Sequence, residues 1–181
     1  MKKCFFLSFL TLLMLVTFVS LAFSSTHIWV DQNNGINDSS TPGTETQPFK
    51  SITYAFMKIK DSTIVVHIKA GVYDSNTSKP ANEREYFPLQ LRNEIIIQGE
   101  SSKEECIIVG NENSNSPILF GENLSNIIIK NITFKSMKRT GGTKNGSAIE
   151  LISSSGIIDN CAFIENETAG YGGGLWASLS K

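Results

Sequence analysis

The chain has 181 residues, 40% of them hydrophobic, with 16 basic against 17 acidic side chains and a formal net charge of −1. That balance, with no long run of either sign, excludes an electrostatic case for nucleic acid or an anionic membrane surface as partner. Its 3 cysteines, one of them at the edge of the first apolar run, exclude a disulfide framework.

Residues 1–25 read as a signal peptide: Lys2 and Lys3, then the uncharged run CFFLSFLTLLMLVTFVSLAF, then the small residues Ser24 and Ser25 after Ala22. The run is nearly long enough for an uncleaved anchor, which needs ~20 apolar residues. The small residues that close it, and the lack of a following basic cluster, favour cleavage. The expected product is one exported domain, secreted or held at the cell surface, with no membrane contact after the leader is gone.

Residues 26–61 read as a strand, a loop and a capping helix. The loop from Ile28 to Thr44 holds Asp31, Asn33, Asn34, Asn37 and Asp38, oxygen donors of the type calcium takes. Their spacing does not fit the calcium loop, and Asx residues bond readily to local backbone, so a structural loop is expected, with no cofactor. In PFKSITYAFMKIKD, Phe49, Ile52, Phe56 and Ile59 form one apolar helical stripe, and Pro48 suits a first turn. Such a helix covers the open end of a stack of strands, which would otherwise present unpaired backbone groups.

Residues 62–181 read as coils of short strands. STIVVHIKAGVYD is rich in β-branched residues and places a turn at Gly71; His67 inside it reads as a packing or surface residue. Ser75 to Tyr86 is polar and aperiodic, a loop at one corner. FPLQLRNEIIIQG, CIIVG and PILFG follow, each strand ended by Gly or Asn, with Val109 and Phe120 expected on the inner stack. Then NIIIKNITF, Asn126 to Phe134, returns 29 residues later as SGIIDNCAF, and Ile96, Ile97 and Gly99 precede Ile128, Ile129 and Asn131 by 32. A self-match at this period marks a stacked repeat. Like residues then meet across coils, with Asn131 over Asn160 as rungs of an asparagine ladder and Phe134 over Phe163 as a phenylalanine stack. Cys106 and Cys161 read as small buried hydrophobes. Glycine-rich turns precede the last two strands, and the sequence stops five residues beyond Trp176, which gives the C-terminal end a truncated, uncapped look.

The succession WVDQNNGIND, TPGTETQPFKSITYAF, IKAGVYD, FPLQLRNEIIIQGE, NIIIKNITF and NCAFIENETAGYGGGLW resembles right-handed parallel β-helix proteins of the pectin-lyase-like superfamily. More narrowly it resembles a domain of unknown function at the N-terminus of secreted bacterial β-helix proteins. The resemblance implies an all-β, right-handed parallel β-helix. It implies no single activity, since that fold hosts lyases, hydrolases, esterases, epimerases and non-enzymatic adhesins. The NTD, paired-DD, GHG and RIK motifs of the polygalacturonase-like members are absent, and Asp159 and Glu165 have no arginine beside them, Arg139 lying elsewhere on its coil. No catalytic or metal-binding residue is therefore assigned.

Two functions fit. One is a non-catalytic secreted or surface β-helix that binds polysaccharide or cell-surface glycan, with Tyr171 and Trp176 as aromatic binding candidates, or that serves a structural role. The alternative is the N-terminal portion of a polysaccharide lyase or glycoside hydrolase whose active coils lie beyond Lys181. In either case the open end is a place for further coils or self-association.

Overall fold

The computed structural model describes residues 25–60, 63–140 and 144–178. The leader expected at residues 1–25 lies outside them except for Ser25. Among the described residues no helix is long and apolar enough to cross a membrane.

The first coil holds β1 (Thr26–Val30) and a short helix, α1 (Ile52–Lys58); the second holds β2 (Ile64–Ile68), β3 (Gly71–Tyr73) and β4 (Leu89–Gln90). The third holds β5 (Ile95–Gly99), β6 (Cys106–Val109) and β7 (Leu119–Glu122). The fourth holds β8 (Ile127–Lys130), β9 (Thr133–Lys135), β10 (Lys138–Arg139) and β11 (Ile149–Ile152). The fifth repeats that order with β12 (Gly156–Asp159), β13 (Ala162–Ile164), β14 (Glu167–Thr168) and β15 (Leu175–Ser178). Each strand pairs in parallel with its counterpart one coil away, giving sheet A (β1-β2-β5-β8-β12), sheet B (β3-β6-β9-β13), sheet C (β4-β7-β11-β15) and the two-stranded β10-β14. Among the described residues the protein is a parallel β-solenoid with one short α-helix near its N-terminal end.

Register turns the sequence repeat into columns. Ile28, Val66, Ile97, Ile129 and Ile158 stand in line across sheet A, and Tyr73, Ile108, Phe134 and Phe163 across sheet B. Leu89, Leu119, Ile149 and Leu175 do the same across sheet C. Except for Leu175, which is exposed at the end of its column, these residues face inward and form one core, each fully buried aliphatic contributing ~1.5–3 kcal/mol of transfer free energy. Val109 and Phe120, expected on this inner stack, face outward instead. They pair with Lys135 and Glu150, and the inward places beside them belong to Ile108, Leu119 and Gly121.

The cap begins later than the stripe suggested. Phe49 donates its N–H to Trp29 O at 2.9 Å and accepts from Asp31 N–H at 2.8 Å, so Pro48 and Phe49 line the outer edge of β1 as a partial strand. Ser51 is the N-cap, accepting from Tyr54 N–H at 3.2 Å. Ile52, Ala55, Phe56 and Ile59 are still buried, as is Phe49, because the stripe faces the stack whether or not its first member is helical. The turn expected at Gly71 falls one residue earlier, and Gly71 opens β3.

Candidate functional site

The outer face of sheet A is built by alternation. Side chains between the inward isoleucines point out, and register aligns them in two rows: Val65, Ile96, Ile128, Ile157, and beside it Trp29, His67, Gln98, Lys130, Asp159. His27 stands beyond Trp29 on the same face of β1. The chain's 2 histidines thus meet, although 40 residues separate them.

Their ring nitrogens lie in a line of close contacts from Glu100 through His67 and His27 to Ser25, with Gln98 Nε2 also 3.1 Å from His67 Nδ1. Glu100 Oε1 lies 2.6 Å from His67 Nδ1 and, as a carboxylate, can only accept from it; in the singly protonated ring His67 Nε2 is then an acceptor. In that tautomer His27 Nδ1, 2.7 Å away, donates to His67 Nε2, and His27 Nε2 accepts from Ser25 Oγ at 3.1 Å. Gln98 Nε2 donates to the same Glu100 oxygen at 2.5 Å. Trp29 lies flat against His67, ring centroids 4.1 Å apart and 9° from parallel, which locks the imidazole between a wall and a carboxylate. Burial alone would raise the Glu100 carboxyl, but the donors Gln98 and His67 outweigh it and hold the group below the usual carboxylate range.

A groove of about 520 Å³ adjoins this line, bordered by Trp29, Asp31, Asn33, Asn34, Lys69 and Glu100 among others. Asp31 is fixed from within: Oδ1 accepts from Asn33 and Asn34 N–H at 2.9 and 3.0 Å, and Oδ2 from Asn34 Nδ2 at 3.1 Å. Burial raises its pKa, and these bonds together with the nearby Lys69 bring it below the ordinary value. Lys69 Nζ sits 5.7 Å from the Trp29 ring centroid and 4.0 Å from Asp31 Oδ2. The groove therefore presents a cation, the three acidic side chains Asp31, Glu45 and Glu100, amides and the edge of an indole.

The other candidate residues lie elsewhere. Asn131 and Asn160 both adopt positive φ, 57° and 46°, at the corner after sheet A. Asn160 Nδ2 donates to Asn131 Oδ1 at 2.9 Å, and Asn131 Nδ2 to Gly99 O at 3.3 Å. Gly99 takes the asparagine's place one coil earlier because a Cβ there would sit 2.1 Å from Asn131 O. Asn131 is half-buried at this corner and not an inward core residue. Phe134 and Phe163 stack with centroids 5.6 Å apart. Trp176 pairs with Glu150 and faces outward from sheet C, and Tyr171 is 77% exposed on the turn before β15. Neither lines the groove on the first three coils. Arg139 is buried, with Nη1 2.8 Å from Glu150 Oε2, while Glu165 pairs with Lys135 at 3.7 Å and Asp159 is exposed on β12. Cys106 is buried and Cys161 half-buried, both as free thiols.

The calcium-like loop is occupied by its own backbone. Asn37 Oδ1 accepts from Lys50 N–H at 2.8 Å and Ser51 N–H at 3.3 Å, and Asp38 Oδ1 from Ser40 N–H at 2.7 Å. Among the described residues no group of three or more His, Cys, Asp or Glu side chains is placed to hold a metal ion.

Two features were not found by reading the sequence. The histidine line needed the register of β1 on β2, although both histidines sit at alternate positions in β-branched runs, a signal that they share the outer face. The corner loop 75–86 reads as solvated, yet Glu85 is 2% exposed. Its carboxylate accepts from Ile52 N–H at 2.8 Å, Thr53 N–H at 2.7 Å and Thr53 Oγ1 at 2.6 Å, clamping the start of α1.

Residues 34–170 match the family model described as "Protein of unknown function (DUF1565)". No curated protein and no solved structure matches the chain.

Proposed function

The chain belongs to the DUF1565 family, and from that premise we propose that it is an exported β-solenoid of the pectin-lyase-like kind that binds an extended, hydroxyl-rich glycan along the outer face of sheet A. The observation that carries this reading is the groove beside Trp29, where Asp31, Asn33, Asn34, Lys69 and Glu100 offer donors and acceptors around an aromatic edge. Sugar recognition has these needs: hydrogen-bonding groups fixed in advance, and an apolar surface for the ring's C–H face. Asp31 and Glu100 are held in place by their own bonds, so binding does not have to order them. The parallel rows continue along the axis past the groove at ~4.8 Å per coil, a track for a linear polymer. Tyr171 and Trp176 form a separate aromatic surface that competes for the same role.

Affinity electrophoresis against a panel of neutral and acidic polysaccharides tests the proposal. Trp29→Ala and Lys69→Ala should each weaken retention at least threefold, with Tyr171→Ala unchanged. Loss in Tyr171→Ala and Trp176→Ala alone moves the site to the last coil. Retention by no polysaccharide in the panel refutes the glycan reading.

A further inference from the structure

We propose that His27 is the general base of an ester-hydrolysing site on the outer face of the first three coils, positioned by His67 and Glu100. Its substrate would be an O-acyl group carried by the polymer in the groove; only that last clause rests on the glycan reading. The line runs at hydrogen-bond distance from a fixed carboxylate, through a clamped ring, to an exposed imidazole. Glu100 is held as a carboxylate by two donors, the Gln98 amide and His67 Nδ1. It fixes His67 in the tautomer whose Nε2 accepts from His27 Nδ1, and that in turn leaves His27 Nε2 as a lone pair at the surface. The Ser25 hydroxyl, 3.1 Å from that nitrogen, stands where an attacking water would sit, and cleavage of the leader expected at residues 1–25 would free that position. His67 is buried against Trp29 and cannot turn away, whereas His27 is exposed. A base at the surface and a carboxylate behind it, joined through a clamped ring, is an arrangement for taking up a proton. A purely structural ladder does not need an exposed imidazole at its end.

The step balances without a cofactor. Water adds to the ester carbonyl carbon as His27 Nε2 takes its proton. The positive charge this creates is shared through Nδ1–H with His67 and offset by Glu100. The acyl C–O bond then breaks, the departing alkoxide takes the proton back from His27, and acid and alcohol leave with both rings neutral.

The test uses the purified full chain with 4-nitrophenyl acetate as probe, read as kcat/KM in H2O and D2O. The wild type should exceed His27→Ala by at least tenfold, in line with the ~10²–10⁴ that general bases supply, and should slow in D2O. His67→Phe keeps a ring against Trp29 and loses the relay, so its rate should fall toward that of His27→Ala at an unchanged melting temperature. Glu100→Gln should lower kcat and abolish the downfield imidazole N–H resonance in the proton NMR spectrum, a signature that loss of mere packing would not remove. Hydrolysis by His27→Ala at the wild-type rate overturns the site, whatever the glycan result. Hydrolysis that depends on His27 in a protein retained by no polysaccharide upholds the site and refutes only the binding reading.

Discussion

The fourth and fifth coils share the repeat's isoleucines, asparagine and phenylalanine and differ in what covers them. Ile129 and Phe134 are completely buried, whereas Ile158 and Phe163, their counterparts 29 residues on, are only partly buried. At the other end the first coil has α1 over the core and Phe49 along the edge of β1. The lesson is that a repeat specifies which way a side chain points but not how far it is buried. Burial in a solenoid belongs to the neighbours on both sides.

The sharpest way to break that comparison is the pair Phe134→Ala and Phe163→Ala. The first should cost about 3–5 kcal/mol, as large-to-small changes in a sealed core do, and the second less than half as much. Denaturant unfolding of both variants gives the difference directly, and equal losses would mean that the last coil is as well covered as the fourth.

Next in size is the cap. Burial pushes the Glu85 carboxyl up to about 7 from 4.5, against the pull of the Thr53 and Ile52 donors. The native state therefore holds this proton more tightly than the unfolded chain. Its contribution is fully present below pH 4.5 and is lost as pH rises through about 7, a change of about 3 kcal/mol between those limits. Urea titrations at pH 4.5, 6 and 8 should show that decline, and Glu85→Gln should flatten it. A stability that instead rises over this range would show that the three donors outweigh burial.

Smaller again is the corner ladder. Asn131→Ala loses the bonds to Gly99 and Asn160 and strains a backbone at φ 57°, so about 1–2 kcal/mol is expected. Asn131→Gly relieves the strain and keeps only the lost bonds, which separates the two terms. Asn160→Ala, in the less covered coil, should cost under half as much as Asn131→Ala. Smallest is Lys130→Ala on the outer face, within about 0.5 kcal/mol of wild type by thermal melting.

The repeat, the inward isoleucines and the asparagine bend were legible because each is local: period two along a strand, a constant coil length, a residue suited to positive φ. The start of α1 was not, since Pro48 and Phe49 satisfy a helical stripe and an edge strand equally well and only the unpaired side of β1 decides between them. Nor was the meeting of His27 with His67. The first coil lacks the repeated motif, so its register depends on how the loop from Asp31 to Gln47 folds back. Glu85 was hidden for a related reason: a lone acid in a polar loop reads as solvated until the N–H groups it receives are known.

The columns also make the molecule a mechanical series. A force drawn from the last coil meets one set of parallel rungs at a time, so the chain should yield stepwise, in the manner of an unwinding spring, instead of all at once. Coils of 29 and 32 residues would each release ~100 Å of extended chain. The final step would be the longest, because α1 and the edge of β1 give way together.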